Sequence, residues 1–138
     1  DSIVRGNTSK KIIQLVRDAG AKKVYFASAA PPLRHPCVYG IDMPTRQEFI
    51  ATNLTEKQIS KVINADGLIY QNLPDLVASC QPKINSKVDF CTACFDGKYP
   101  TKEITEKRLK QIEDDRLSQI GSSEMNEGEV DISQLTLI

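Results

Sequence analysis

Residues 67–77, G-L-I-Y-Q-N-L-P-D-L-V, decide the fold class of this chain. The first five form a short apolar run with β-branched and aromatic side chains, which is typical of a buried strand. Asn72 can then cap a helix that tolerates Pro74 in its first turn. A strand that leads directly into a helix is the repeating unit of a parallel sheet covered by helices.

The same alternation extends upstream of this stretch. Residues 55–63 predict a helix because Thr55 and Gln58 can form a capping box. Residues 23–28, K-V-Y-F-A-S, predict a strand that is buried on both faces. Residues 8–19 carry apolar side chains at helical spacing and predict a first helix. We therefore expect an α/β fold with a parallel sheet and flanking helices.

Outside this core the pattern is weaker. Residues 38–41 predict a short strand, although Gly40 weakens it, and residues 81–89 form a polar connector. Apolar residues recur over 104–120 and predict an amphipathic helix. Residues 121–138 offer few core candidates and predict a loose or partner-dependent tail.

Length and composition suit one globular domain. The 138 residues are 40% hydrophobic and 26% charged, and no apolar run approaches the roughly 20 residues that span a bilayer. Because 18 basic side chains balance 18 acidic ones, we expect no nucleic-acid partner, and because no apolar run is long enough to span a bilayer, we expect no membrane partner. Residues 103–138 carry a net charge of −5, so residues 1–102 carry +5, which mildly favours anionic ligands there. The sequence shows no targeting segment, which predicts a cytoplasmic protein.

The opening stretch D-S-I-V-R-G-N-T-S, residues 1–9, runs straight into the first helix. Gly6 would let the backbone approach a ligand closely, and the free amides of residues 7–9, together with the helix dipole, favour a phosphate. Asp1 could hold ribose hydroxyls or a divalent metal. The alternative is a turn with an ordinary helix cap. The stretch is neither a P-loop nor a dinucleotide fingerprint.

Cysteines supply the second candidate site. Cys91 and Cys94 form a C-x-x-C motif, which can be a metal-ligand pair, a redox pair or two small buried side chains. A zinc site would need two further ligands, for which Cys37 and His35 are candidates. We expect Cys80 to be a packing residue on its helix.

Both candidate sites resemble a known family. Residues 1–9 resemble the phosphoribosyl pyrophosphate (PRPP) loop of type I phosphoribosyltransferases, and more narrowly that of the amidophosphoribosyltransferase family. H-P-C-V-Y-G-I-D, residues 35–42, and F-C-T-A-C-F-D-G-K-Y-P-T, residues 90–101, resemble two segments of that family's iron–sulfur subclass. The resemblance covers residues 1–101. It implies part of a type I phosphoribosyltransferase fold, a Rossmann-like parallel sheet with flanking helices, plus a C-terminal helical extension.

The resemblance also implies the site residues and cofactors. The PRPP-binding residues would be Asp1, Ser2, Arg5, Gly6, Asn7, Thr8 and Ser9, with Asp1 also contacting Mg²⁺. Asn7 departs from the Thr that many members have at this position. A [4Fe–4S] cluster of structural role would be held by Cys37, Cys91 and Cys94, with a fourth ligand upstream of Asp1.

The family's reaction forms 5-phosphoribosylamine from PRPP and glutamine. This is the first step of the de novo purine pathway that leads to IMP. Its partners would be PRPP, ammonia released by an N-terminal glutaminase domain, and further copies in a homo-oligomer. We expect a C-terminal fragment that begins inside the PRPP loop, holds no catalytic residue and is inactive alone. The expected parts are a partial phosphoribosyltransferase domain at 1–80, a cysteine-containing connector at 81–101, and a helix with an acidic tail at 102–138. A free-base phosphoribosyltransferase and a non-catalytic metal-binding module are the alternatives.

Overall fold

The computed structural model describes residues 2–41, 43–83 and 87–126. The chain divides into two compact units, Asp1–Thr101 and Lys102–Ile138. Along the chain, the helices and strands are α1 (Asn7–Asp18), β1 (Tyr25–Ser28), a 3₁₀ turn (Arg46–Glu48), α2 (Glu56–Val62), β2 (Gly67–Tyr70), α3 (Leu73–Cys80), α4 (Ala93–Asp96) and α5 (Glu106–Asn126).

The two strands pair in parallel, as the alternation of strands and helices predicts. Tyr25 lies opposite Gly67, and the register continues to Ser28 opposite Tyr70. Residues 38–41 form no strand, so that prediction is wrong. Gly40 has a φ of 104° there, which lies outside the extended region that a strand requires.

The core lies beneath the sheet and between α1 and α2. Its buried residues are Ile3, Ile13, Val24, Ala51, Ile59 and Ile63. The prediction that β1 is buried on both faces is wrong, because the Tyr25 side chain is 64% exposed. Its ring packs over the backbone of Gly67, where an added Cβ would lie 2.8 Å from Tyr25 Cδ1. The Tyr25 ring therefore packs on β2, and no described helix packs over the outer side of this ring.

Local capping explains where the short helices begin. Thr55 and Gln58 form the predicted capping box at α2, with the Gln58 amide donating to Thr55 Oγ1 at 3.4 Å. Asn72 caps α3 by accepting a hydrogen bond from the Asp75 amide at 3.4 Å, and Pro74 lies in the first turn. Both predictions are confirmed. These bonds satisfy backbone donors that a helix terminus leaves unpaired.

Two expectations for the remaining helices change. Cys80 is exposed at the end of α3 and is not a packing residue. Helix α5 continues to Asn126, so residues 121–126 are helical where a loose tail was predicted, because no proline interrupts the helix. Residues 127–138 lie outside the described residues. Among the residues that are described, no helix has both the length and the apolar character required for a membrane span.

Candidate functional site

The opening loop and the start of α1 form one side of a cavity of about 530 Å³. It is lined by Ser2, Val4, Arg5, Gly6, Asn7, Thr8, Ser9, Ile12, Phe26 and Pro44. The structure thus brings together every predicted PRPP-binding residue that it describes. Asp1, the predicted magnesium and ribose contact, lies outside the described residues.

Gly6 fixes the course of this loop. Its φ is 81°, and a Cβ at this position would lie 2.9 Å from Ile50 Cδ1 and 3.3 Å from Ile63 Cγ2. The Gly6 carbonyl accepts the first helical hydrogen bond from the Lys10 amide at 2.9 Å. The Ile50 amide donates a hydrogen bond to the Val4 carbonyl at 2.9 Å. Glycine is therefore required at this turn both for its conformation and for its size.

Helix α1 begins without a side-chain cap. Gly6 is the N-cap residue and has no side chain that could accept a hydrogen bond from the first turn. The leading amides of an α-helix have no partner within the helix, and the helix dipole places partial positive charge beside them. Asn7 and Thr8 are exposed there, whereas Ser9 is buried. The cavity therefore presents backbone donors and polar side chains suited to an anion.

Arg5 adds a full positive charge to this cavity wall. Its Nη2 lies 2.6 Å from Glu48 Oε1 in an ion pair. The other carboxylate oxygen of Glu48 accepts hydrogen bonds from Thr45, at 2.9 Å from N and 3.0 Å from Oγ1. The Thr45 backbone bond is the main cause that holds the pKa of Glu48 below its ordinary value, while burial opposes it. Glu48 is therefore ionised at neutral pH.

The sequence analysis missed Glu48. The only local signal is the T-R-Q-E pattern of residues 45–48, which predicts a capping box but gives no indication of Arg5. Contact between residues 43 positions apart arises from the tertiary fold.

A second cavity, of about 390 Å³, contains the three predicted cluster ligands. Cys37, Cys91 and Cys94 line it together with Tyr39, Ile41, Met43, Ala93 and Pro100. All three cysteines are free thiols, and Cys91 is the most exposed of them. The wall is otherwise largely apolar, which leaves sulfur as its main ligating atom.

Backbone bonds hold the two cysteine segments together. The Cys94 carbonyl accepts hydrogen bonds from the Arg34 amide at 3.0 Å and the His35 amide at 3.1 Å. The Tyr99 hydroxyl donates to the Pro36 carbonyl at 2.7 Å. These contacts join segments about 60 residues apart in sequence, so the position of Cys37 beside the C-x-x-C motif is fixed by the fold.

The thiols themselves carry two further features. The Tyr39 amide donates to Cys37 Sγ at 3.4 Å, a contact that stabilises negative charge on sulfur. Burial is the main cause that raises the pKa of the Cys94 thiol, and the neighbouring Cys37 and Cys91 raise it further. Cys94 is therefore a neutral thiol near pH 7 in the metal-free chain.

Sulfur is the metal-binding donor that this cavity offers. His35, the other candidate ligand, does not line the cavity, and its ring packs against Gly97. Within residues 2–41, 43–83 and 87–126, no three His, Cys, Asp or Glu side chains form a group that could hold one metal ion. Thiolates are the donors that iron–sulfur clusters use, because soft sulfur suits iron, so the type of donor at Cys37, Cys91 and Cys94 agrees with such a cluster.

The chain is similar to amidophosphoribosyltransferases. It is 55% identical over 118 residues to the Pseudomonas aeruginosa enzyme, a match that covers 84% of this chain and 23% of that protein. It is 50% identical over 104 residues to the Escherichia coli enzyme, covering 75% of this chain and 21% of that one. With the Saccharomyces cerevisiae enzyme it shares 40% identity over 132 residues, 96% of this chain and 25% of the relative. No family model matches the chain.

Solved structures give the same result for the fold. A glutamine PRPP amidotransferase from B. subtilis, complexed with ADP and GMP, superposes with a TM-score of 0.67 at 40% identity, covering 76% of this chain and 23% of that one. An allosteric regulatory enzyme of purine biosynthesis superposes with a TM-score of 0.69 at 39% identity, covering 82% of this chain and 24% of the other. The predicted α/β fold of the type I phosphoribosyltransferase kind is confirmed. The chain spans about a quarter of the length of these relatives.

Proposed function

We propose that this chain supplies the PRPP-binding loop and the cysteine site of an amidophosphoribosyltransferase that forms 5-phosphoribosylamine in purine biosynthesis. The observation that carries the proposal is the loop cavity, in which Ser2 and residues 5–9 surround the uncapped start of α1. Sequence identity of up to 55% to amidophosphoribosyltransferases supports the choice of reaction. A free-base phosphoribosyltransferase could use the same loop, but that alternative does not account for the cysteine cavity.

The loop would bind the 5-phosphate of PRPP and so place the anomeric carbon for reaction. The amides of residues 7–9 and the Thr8 hydroxyl would donate to phosphate oxygens, and Arg5 would balance their charge. Ammonia then forms a bond to the anomeric carbon, the bond to the pyrophosphate oxygen breaks with its electron pair, and the new ammonium loses a proton to solvent. The contribution of the loop is to position the substrate.

Two cofactors belong to this proposal. Mg²⁺, when bound, would neutralise charge on the leaving pyrophosphate, and Asp1 is its proposed contact. A [4Fe–4S] cluster held by Cys37, Cys91 and Cys94 would cross-link the two cysteine segments. Its role would be structural because the proposed reaction transfers no electrons.

The remaining parts of the enzyme are proposed partners. Because the chain spans about 23% of the Pseudomonas aeruginosa relative, a glutaminase domain that releases ammonia would be supplied by further polypeptide. We also propose a homo-oligomer and a cytoplasmic location.

Phosphate binding is tested by ¹⁵N NMR of the whole chain with ribose 5-phosphate. We expect amide shifts concentrated on residues 5–9, and none with ribose, because the phosphate supplies the charge. Thr8→Ala should weaken binding by about 10- to 150-fold, which corresponds to the loss of one hydrogen bond to a charged group. Ser79→Ala, which removes an exposed hydroxyl from α3, is the matched control. Identical spectra with ribose and ribose 5-phosphate would refute the binding proposal.

The reaction is tested in a hybrid enzyme. The matching 118 residues of the Pseudomonas aeruginosa amidophosphoribosyltransferase are replaced by those of this chain. We expect the hybrid to form phosphoribosylamine from PRPP with ammonia as the nitrogen source, and Thr8→Ala in the hybrid to raise the KM for PRPP. A folded hybrid that binds PRPP without turnover would contradict the proposed reaction.

A further inference from the structure

The segment from Pro44 to Ile50 packs against the phosphate loop. Pro44 lines the cavity, and Ile50 contacts the loop twice, through its amide to the Val4 carbonyl and through its side chain against Gly6. Between them, the 3₁₀ turn carries Glu48, which forms the ion pair with Arg5. This segment therefore contacts the loop through backbone, apolar and charged groups.

The Glu48 carboxylate is itself held in place. Its Oε2 accepts two hydrogen bonds from Thr45, and Thr45 is only 6% exposed. Its Oε1 is left to pair with Arg5 Nη2. Arg5 lines the cavity, whereas Glu48 does not. One oxygen thus anchors the carboxylate to a buried residue, and the other anchors a side chain of the proposed ligand site.

We propose that Glu48 is a positioning residue of the phosphate loop, which acts through Arg5 by holding the guanidinium group at the cavity wall. This inference rests on the proposed function of the loop. A guanidinium has five N–H donors, so an ion pair at Nη2 leaves others for the phosphate. A long side chain that is ordered before the ligand arrives loses less entropy on binding.

The alternative is that Glu48 competes with the phosphate for Arg5, and it predicts that removal of Glu48 changes the phosphate affinity in the opposite direction. If the carboxylate mainly neutralised Arg5, its removal would tighten phosphate binding. We expect positioning to dominate because the two bonds from Thr45 keep the carboxylate from following Arg5 into the cavity, and because solvent screens repulsion between exposed charges.

Glu48→Gln separates the two roles of this side chain. A glutamine oxygen can replace Oε2 in the capping box, which accepts Glu or Gln at this position. The remaining amide group is a donor and cannot pair with a guanidinium. The variant should therefore keep the 3₁₀ turn and lose the contact with Arg5.

The test is a double-mutant cycle on the whole chain, with ribose 5-phosphate affinity measured by NMR titration. Glu48→Gln should weaken binding by about two- to fivefold, the range for exposed ion pairs. In an Arg5→Gln background the same change should have no further effect. Glu56→Gln removes one negative charge from the exposed first turn of α2 and should leave the affinity unchanged. Unchanged or tighter binding by Glu48→Gln, or an equal loss in both backgrounds, would overturn the proposal.

A second measurement does not depend on the ligand. The ¹⁵N NOE of Arg5 Nε should report an ordered side chain in the original chain and a mobile one in Glu48→Gln; equal mobility would overturn the proposal. If the original chain does not bind ribose 5-phosphate, the proposed function fails and this NOE still decides the role of Glu48. If Glu48→Gln lowers the melting temperature, the affinities are compared at a temperature at which the chain and the variant are both fully folded.

Discussion

Replacement of Gly6 by alanine tests whether this turn is as constrained as the structure indicates. The backbone has a φ of 81°, where a Cβ costs about 1–2 kcal/mol. The Cβ would also lie 2.9 Å from Ile50 Cδ1 and 3.3 Å from Ile63 Cγ2, and overpacking of this kind costs about 1–3 kcal/mol. We expect Gly6→Ala to lower the free energy of unfolding by about 2–5 kcal/mol, as measured by urea denaturation.

Gly20→Ala is the matched control. Gly20 has a φ of 97°, and nothing lies within 4 Å of the position of its Cβ. It should therefore cost only the backbone part, about 1–2 kcal/mol. Both substitutions reduce the entropy of the unfolded chain equally, so this effect cancels in the difference between them. Equal destabilisation by the two variants would show that Ile50 and Ile63 yield to the new methyl group, and would refute the steric argument.

Three other predictions address the Tyr70 hydroxyl, the Asp66 carboxylate and the cysteines. The Tyr70 hydroxyl is buried with no hydrogen-bond partner in the described part of the chain, and burial raises its pKa to about 12; Tyr70→Phe should therefore leave thermal stability unchanged or raise it. A hydrogen bond from the Val24 amide is the main cause that lowers the pKa of Asp66 below its ordinary value. The ionised Asp66 carboxylate therefore stabilises the fold at pH values above its unfolded-state pKa, and this stabilisation is lost as the pH falls towards its folded-state pKa. Asp66→Asn should flatten this acid limb in urea titrations from pH 6 to about pH 3, and an unchanged limb would contradict the assignment. Anaerobic reconstitution with iron and sulfide should give a brown chain that Cys37→Ala abolishes and Cys80→Ala does not; equal iron content in both variants would exclude Cys37 as a ligand.

Short-range signals account for the parts of the fold that the sequence predicts correctly. The capping box of α2 and the Asn72 cap of α3 involve residues three positions apart, so the pattern of side chains carries nearly all the information needed. The parallel pairing of β1 with β2 follows from their alternation with helices. In the loop, the glycine and the polar residues after it predict an anion cavity because the helix start itself provides the donors.

Long-range geometry accounts for what the sequence does not reveal. The exposure of Tyr25 depends on what covers the sheet, and an apolar strand looks alike whether one face or two are buried. The pairing of Arg5 with Glu48 depends on how the 3₁₀ turn packs against the loop. His35 has the chemistry of a zinc ligand, and only the fold shows that its ring lies on Gly97 and does not line the cysteine cavity.

The two cavities are joined by one peptide bond. Met43 lines the cysteine cavity, and the next residue, Pro44, lines the loop cavity. Consecutive Cα atoms lie about 3.8 Å apart, and proline fixes its own φ, so few backbone dihedral angles separate a movement of Met43 from a movement of Pro44. A group that orders the thiol-lined wall would therefore also restrict this part of the wall of the phosphate cavity. This connection is a physical reason why a structural group bound by the cysteines would affect the loop, although the cysteines lie outside the loop that would bind the substrate.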